Sequence, residues 1–197
     1  LQDLSTDMAR PPHARTDGQR GPVLIASQLR AATSVVRRYL SSCFLLLVPI
    51  FVWNLLLASR LPPAFQGAEF WRDIPRWVSV PENVLRLLVF VLPALMPLEL
   101  PTRRQRVRLA VFAAGVAAYF ASWAALITWP SSAWSTSAPG FLAPAYTPVL
   151  WLFGLGLLSD RLFITALPFR RWMFFALAAG FLAFHNLHTA IVYARNF

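Results

Sequence analysis

The sequence predicts an all-α polytopic integral membrane protein: a five-helix transmembrane bundle with its N-terminus inside and its C-terminus outside. Three observations carry that expectation. Of 197 residues, 57% are hydrophobic and only 13% are charged, against about 25% charged in a soluble domain. The apolar residues gather in five runs of helical, membrane-crossing length, at 1.5 Å rise per residue across a ~30 Å hydrocarbon layer. The charges lie almost wholly between those runs. A soluble enzyme would need a larger polar skin. A disordered chain would be far less apolar. A disulfide scaffold needs more than the single Cys43, which reads as a small buried apolar residue.

Residues 1–38 form a polar basic tail. The first 21 residues lack the apolar core of a cleaved secretion signal and are expected to be disordered. Residues 23–38 fit either a short amphipathic helix, with Val23, Leu24, Leu29 and Val35 on the bilayer surface, or a solvated tail. Residues 39–197 form the bundle. The first span is about 39–59, kinked at Pro49. An interfacial segment follows at 64–78, where Phe65, Phe70, Trp71, Ile74 and Trp77 alternate with charged residues at headgroup depth. The second span is 84–100, followed by a tight basic loop at 101–108. The third, 109–129, carries alanine stripes (Ala113, Ala117, Ala121, Ala125 and Ala110, Ala114, Ala118) that would let helices approach closely and place it at the bundle centre. The fourth is 145–162, with Gly154 and Gly156 as a packing point and Asp160–Arg161 as an interfacial ion pair. The fifth is 172–193. Trp71, Trp77, Trp129, Trp134 and Trp172 fall near span ends, as an aromatic belt requires.

All 18 basic residues are arginine, a usage that fits a GC-rich bacterial genome. The pI near 11.5 raises nucleic acid as a partner. Arginines spread between apolar runs argue against it, because phosphate binding gathers them on one soluble face. They follow membrane topology instead. Arg10, Arg15, Arg20, Arg30, Arg37, Arg38, Arg103, Arg104, Arg106, Arg108, Arg161, Arg170 and Arg171 fall on one side. Only Arg60, Arg72, Arg76 and Arg195 fall on the other. The first side is then cytoplasmic, and the expected location is the inner (plasma) membrane.

Polar side chains inside spans are the best pointers to function. Helix rise places Asn54 about 22 Å, His185 about 20 Å and His188 about 24 Å from the inner face. Glu82 and Asn83 lie near the outer face, with Arg86 one turn deeper. Glu82 and Arg86 are spaced i, i+4 and pair on one helix face; His185 and His188, i, i+3, share another. Together the six make a candidate outer-leaflet pocket. Arg86 suits an anionic ligand or lipid headgroup, with a histidine as second contact or proton carrier. His185 and His188 are weak candidates for haem or a metal, lacking further ligands, and no cofactor is predicted. The plainest alternative is a polar cluster that only holds helices together.

No Gly-x-Ser-x-Gly, Gly-rich phosphate loop or His-Glu-x-x-His motif is present. The leading expectation is therefore a non-enzymatic membrane subunit or accessory protein. Its partners would be lipid, other membrane subunits or a second copy, and its pocket would take the anionic ligand. A membrane-embedded enzyme or haem/metal protein using His185, His188, Arg86 and Glu82 is the alternative. A small transporter or channel comes third, because five spans cannot form two equal inverted halves.

Overall fold

The computed structural model describes residues 41–197, and all regular structure there is helical. Expectations for the basic tail lie outside those residues. Four helices are long and apolar enough to cross a membrane: α1 (Cys43–Arg60), α2 (Arg76–Leu95), α3 (Arg103–Thr128) and α5 (Arg171–Asn196). A fifth apolar helix, α4 (Ala143–Leu158), is shorter. Its rise of about 24 Å is less than a full hydrocarbon layer. Large apolar side chains face outward along these helices, among them Leu55, Leu56, Val84, Leu87, Val91 and Phe153. Water would penalise such a surface; acyl chains do not.

α1 begins as a 3-10 turn, Cys43–Leu47, and becomes α-helical at Val48. The changeover falls beside Pro49, whose missing N–H is harmless in a first turn. Cys43 is buried and its thiol lies 3.6 Å from the Pro97 carbonyl. Its N–H donates to Met96 O (2.9 Å) and the Leu98 N–H to Ser41 O (2.7 Å), tying the start of α1 to the end of α2.

Several boundaries differ from the sequence reading, each for a local reason. α2 starts at Arg76, inside the expected interfacial segment, because Pro75 caps it: the Pro75 carbonyl accepts from the Val78 (2.9 Å) and Ser79 (3.0 Å) N–H groups, and the helix then carries Pro81 within it. α3 absorbs the expected basic loop. Thr102 and Gln105 form a reciprocal capping box that starts the helix at Arg103. α4 stops at Leu158, and the apolar stretch beyond it is not helical. Asp160 and Arg161 do not pair with each other: Asp160 faces Arg171 (3.7 Å), and Arg161 pairs with Glu99.

The alanine stripes also require correction. Ala110, Ala113, Ala114, Ala117 and Ala121 are exposed. The inward face of α3 is Phe112, Gly115, Tyr119, Ser122, Trp123 and Leu126. Glycine, not alanine, makes the close approach. A Cβ on Gly115 would come within 2.4 Å of Trp151 N, and one on Gly154 within 2.5 Å of Phe112 Cα. Gly156 meets the Phe174 and Phe175 rings in the same way. α4 is therefore the helix packed most closely by its neighbours, with Trp151, Leu152, Leu155 and Leu158 buried.

The bundle has two contrasting ends. At one lie Glu99, Arg103–Arg108, Asp160, Arg161 and Arg171. At the other, α2 begins, α5 ends, and the segment between α1 and α2 folds across them. The five tryptophans expected near span ends are exposed there, whereas Trp123 and Trp151 are buried between helices.

Candidate functional site

Glu82 lies six residues into α2, and its side chain is completely buried. A carboxylate there requires several donors. Its Oε1 receives the Arg86 guanidinium, one turn along the same helix, and lies 2.9 Å from His185 Nδ1. Its Oε2 lies 2.6 Å from His188 Nδ1. The i, i+4 and i, i+3 spacings read from sequence thus meet on one carboxylate, joining α2 to α5.

His188 is fully buried and holds a second contact: its Nε2 lies 2.9 Å from the carbonyl oxygen of Phe70. The Phe70 ring stacks on the imidazole at 4.2 Å, and the Trp71 ring meets it edge-on at 4.6 Å. Phe70 and Trp71 belong to the single helical turn Gly67–Phe70 and its cap. Asp73, with φ 55°, then turns the chain into α2. Arg195, at the end of α5, holds this strap down. Its guanidinium donates to Glu69 O (2.5 Å) and to Arg72 O, and lies 3.6 Å from the Glu69 carboxylate.

Arg86 is sandwiched by aromatics. Its Cζ lies 5.5 Å from the Trp71 ring centroid and 5.8 Å from that of Phe181, a cation–π arrangement that is strongest when desolvated. The Phe181 ring also stacks on His185 at 5.3 Å. Asn186 and Thr189 flank the histidines but turn to backbone carbonyls, including Ala145 O and His185 O.

Arg86 and His185 form part of the wall of a cavity of about 300 Å³ among the five helices. Its remaining wall is mostly apolar and aromatic, with Ile50, Phe90, Trp151 and Phe181. Asn54 enters from α1. It does not join the Glu82 cluster; its Oδ1 accepts from the Tyr119 hydroxyl (2.7 Å), and both residues line the same cavity. Asn83 is exposed and does not line the cavity; its amide donates to Ser79 O (2.8 Å) and its Oδ1 lies 3.4 Å from Arg86. The structure therefore brings Glu82, Arg86, His185 and His188 together, with Asn83 at their edge and Asn54 across the cavity.

Sequence reasoning missed three participants. The Phe70 carbonyl has no side-chain signature. Tyr119 was detectable as a hydroxyl inside a span. Glu69–Arg195 joins residues far apart in the chain.

Among the described residues, no group of three or more His, Cys, Asp or Glu is arranged to hold a metal ion. The reason is local. Glu82 occupies the Nδ1 of both imidazoles, and Phe70 occupies the Nε2 of His188, leaving only His185 Nε2 without a partner among the described residues.

No known protein family, curated protein or solved structure matches this chain.

Proposed function

We propose that the chain is a non-enzymatic integral membrane protein whose cavity binds an anionic ligand or lipid headgroup through Arg86. The observation that carries this reading is a guanidinium and an imidazole on the wall of a largely apolar cavity of about 300 Å³. Both are braced by one buried carboxylate. A site of this kind needs a few fixed polar groups in an apolar enclosure, and the bracing removes much of the ordering cost of binding.

The topology proposed with it has five crossings, with α4 as a short central one. The Arg103–Arg108 end faces the cytoplasm, because it collects most of the arginines between spans. The cavity then opens in the outer half of the plasma membrane. A reporter fused after Phe197 should give an external signal; a cytoplasmic one overturns the orientation.

The binding reading is tested on purified full-length protein. Native mass spectrometry in mild detergent should show an anionic lipid or small anion retained by the wild type and lost on Arg86→Leu. Absence of any such adduct after incubation with anionic lipids overturns it. A haem reading predicts a Soret band in the same preparation, and a bis-histidine haem would need a ring nitrogen of His188 that Glu82 and Phe70 now occupy.

A second role rests on the exposed alanine face of α3. Ala113, Ala117 and Ala121 lie outward in register, where a partner helix from another subunit or a second copy would find close approach. Disulfide trapping of an Ala117→Cys, Cys43→Ala variant should yield a dimer if that partner is a second copy.

A further inference from the structure

From the unsatisfied valences around the cavity, we infer that its ligand is a carboxylic acid on an apolar body, drawn from the bilayer. The inference rests on the binding role proposed above and specifies its ligand.

Hydrogen-bond accounting fixes the charge of the cluster. The Phe70 carbonyl only accepts, so His188 Nε2 carries a proton. His188 Nδ1 lies 2.6 Å from Glu82 Oε2, so a second proton sits between them. Whether that proton rests on nitrogen or oxygen, the Glu82–His188 pair is neutral. Glu82 Oε1 accepts from Arg86 and from His185 Nδ1–H. A further proton on His185 Nε2 would put two uncompensated positive charges beside an apolar cavity, so His185 is assigned as neutral, with a bare lone pair on Nε2. Arg86 is always protonated. The cluster therefore carries one net positive charge beside an apolar cavity, and its nearest acidic group is already spent. Such a charge favours a counter-ion.

The open valences on the wall describe the ligand. Besides the three that follow, the buried indole N–H groups of Trp123 and Trp151 face no acceptor among the described residues and also favour an anion. Arg86 retains N–H donors beyond those on Glu82 and Asn83. His185 Nε2 needs a proton donor. Asn54 Nδ2, across the cavity, has no acceptor among the described residues. A carboxylic acid fits Arg86 and His185 at once. It arrives neutral from the bilayer and passes its proton from oxygen to His185 Nε2. The resulting carboxylate lies between imidazolium and guanidinium, so the O–H bond broken is replaced by one N–H bond formed. A phosphomonoester is close to dianionic at neutral pH, more charge than one guanidinium offsets.

The cavity fits the head and upper part of the apolar body. At about 300 Å³ it is roughly twice the ~150 Å³ cavity that admits benzene, room for the carboxyl group and the first several methylenes. Because it is partly open, the rest of a long tail extends beyond it. The α1 wall of the cavity is apolar on its exposed side as well. α1 separates the cavity from the outer surface, with Ile50 and Asn54 on the cavity side and Val52, Leu55 and Leu56 exposed. Its middle is held to α2 and α3 by a Phe51–Phe90 edge contact (5.1 Å), a Trp53–Phe120 stack (4.2 Å) and the Asn54–Tyr119 bond.

The test uses full-length protein in detergent, with the exposed Trp77, Trp129, Trp134 and Trp172 changed to Phe so that fluorescence quenching weighs on the wall tryptophans Trp123 and Trp151. Probes are 9,10-dibromostearic acid, its methyl ester and a brominated phosphatidylglycerol, each at low mole fraction. The acid should quench at least tenfold more tightly than the ester. Palmitic acid should relieve that quenching at least tenfold better than hexadecanesulfonate, which has the charge and no proton to give. Arg86→Gln should abolish the difference between acid and ester. Because that variant leaves Glu82 short of a donor, Ala58→Phe serves beside it: Ala58 lines the cavity at an exposed position, and the new ring should block binding without touching the cluster. Equal quenching by acid and ester, equal relief by the sulfonate, or quenching that survives Ala58→Phe overturns the inference. If the acid fails but the phosphatidylglycerol quenches in an Arg86-dependent way, the carboxylic acid is wrong and the anion-binding role stands. If neither quenches, both fall.

Discussion

The two ends of the bundle use the same residue types in opposite ways. At the α2–α3 end, Glu99 and Arg161 pair with side chains 45% and 65% exposed. Asp160, opposite Arg171, is likewise largely open to solvent. At the α5 terminus, Glu82 and His188 are wholly enclosed and every oxygen of Glu82 is engaged. A charge at the first end keeps its solvent whether or not its partner is present. A charge at the second end has only its partners. Composition and charge counting treat both ends alike; burial alone separates a pair that can be dispensed with from one on which the local fold depends.

The sharpest way to break this contrast is to remove one carboxylate from each end. Glu82→Leu leaves His185, His188 and Arg86 without their shared acceptor, and breaking a buried charge network costs about 3–5 kcal/mol. Glu99→Leu removes an exposed partner worth about 0–1 kcal/mol. Unfolding of the two variants in a detergent–SDS titration should separate them clearly. Similar midpoints would mean that the buried carboxylate does not hold α2 to α5.

The next comparison sets glycine against alanine on α3. Gly115→Leu drives a side chain into the backbone at Trp151, where even a Cβ would stand 2.4 Å from the amide nitrogen. Overpacking of that kind costs about 1–3 kcal/mol. Ala117→Leu places the same side chain on the exposed face and should leave monomer stability within about 0.5 kcal/mol. If Ala117→Leu proves the more damaging in the monomer, the alanine face is packed and the assignment of α4 as partner to Gly115 fails.

These contrasts also mark what the sequence could reveal. Apolar runs located the helices because side chains facing acyl chains and side chains facing the core are apolar alike. That same ambiguity hid azimuth: Ala113 and Gly115 are both small, and only the packed structure shows which one meets α4. Helix ends slipped where helices continue into polar residues, as at Arg76 and Arg103, and at Thr102 the capping signal was in plain sight. Leu162 is apolar and buried, yet it lies in a loop, so hydropathy overextended α4. At the site, helical spacing joined Glu82 to Arg86 and His185 to His188. Depth along the helix grouped Asn54 with them; direction around the helix sends it to Tyr119 instead. The Phe70 carbonyl was beyond reach because every residue has one.

Tyr119→Phe supplies the finest test. It deletes only the hydroxyl that donates to Asn54 Oδ1 at 2.7 Å, the polar contact between α1 and α3. A single neutral hydrogen bond contributes about 1 kcal/mol, so global stability should fall by no more than that. The local effect is different in kind. Once Asn54 loses its donor, the middle of α1 rests on apolar packing, chiefly the Trp53–Phe120 stack, the Phe51–Phe90 contact and the buried Ile50. Amide exchange of Val48–Leu57 should therefore quicken several-fold, while α4 and α5 keep their protection. Uniform acceleration across all helices would show that α1 opens only when the whole bundle does. Unchanged exchange in α1 would show that apolar packing alone keeps the cavity wall shut.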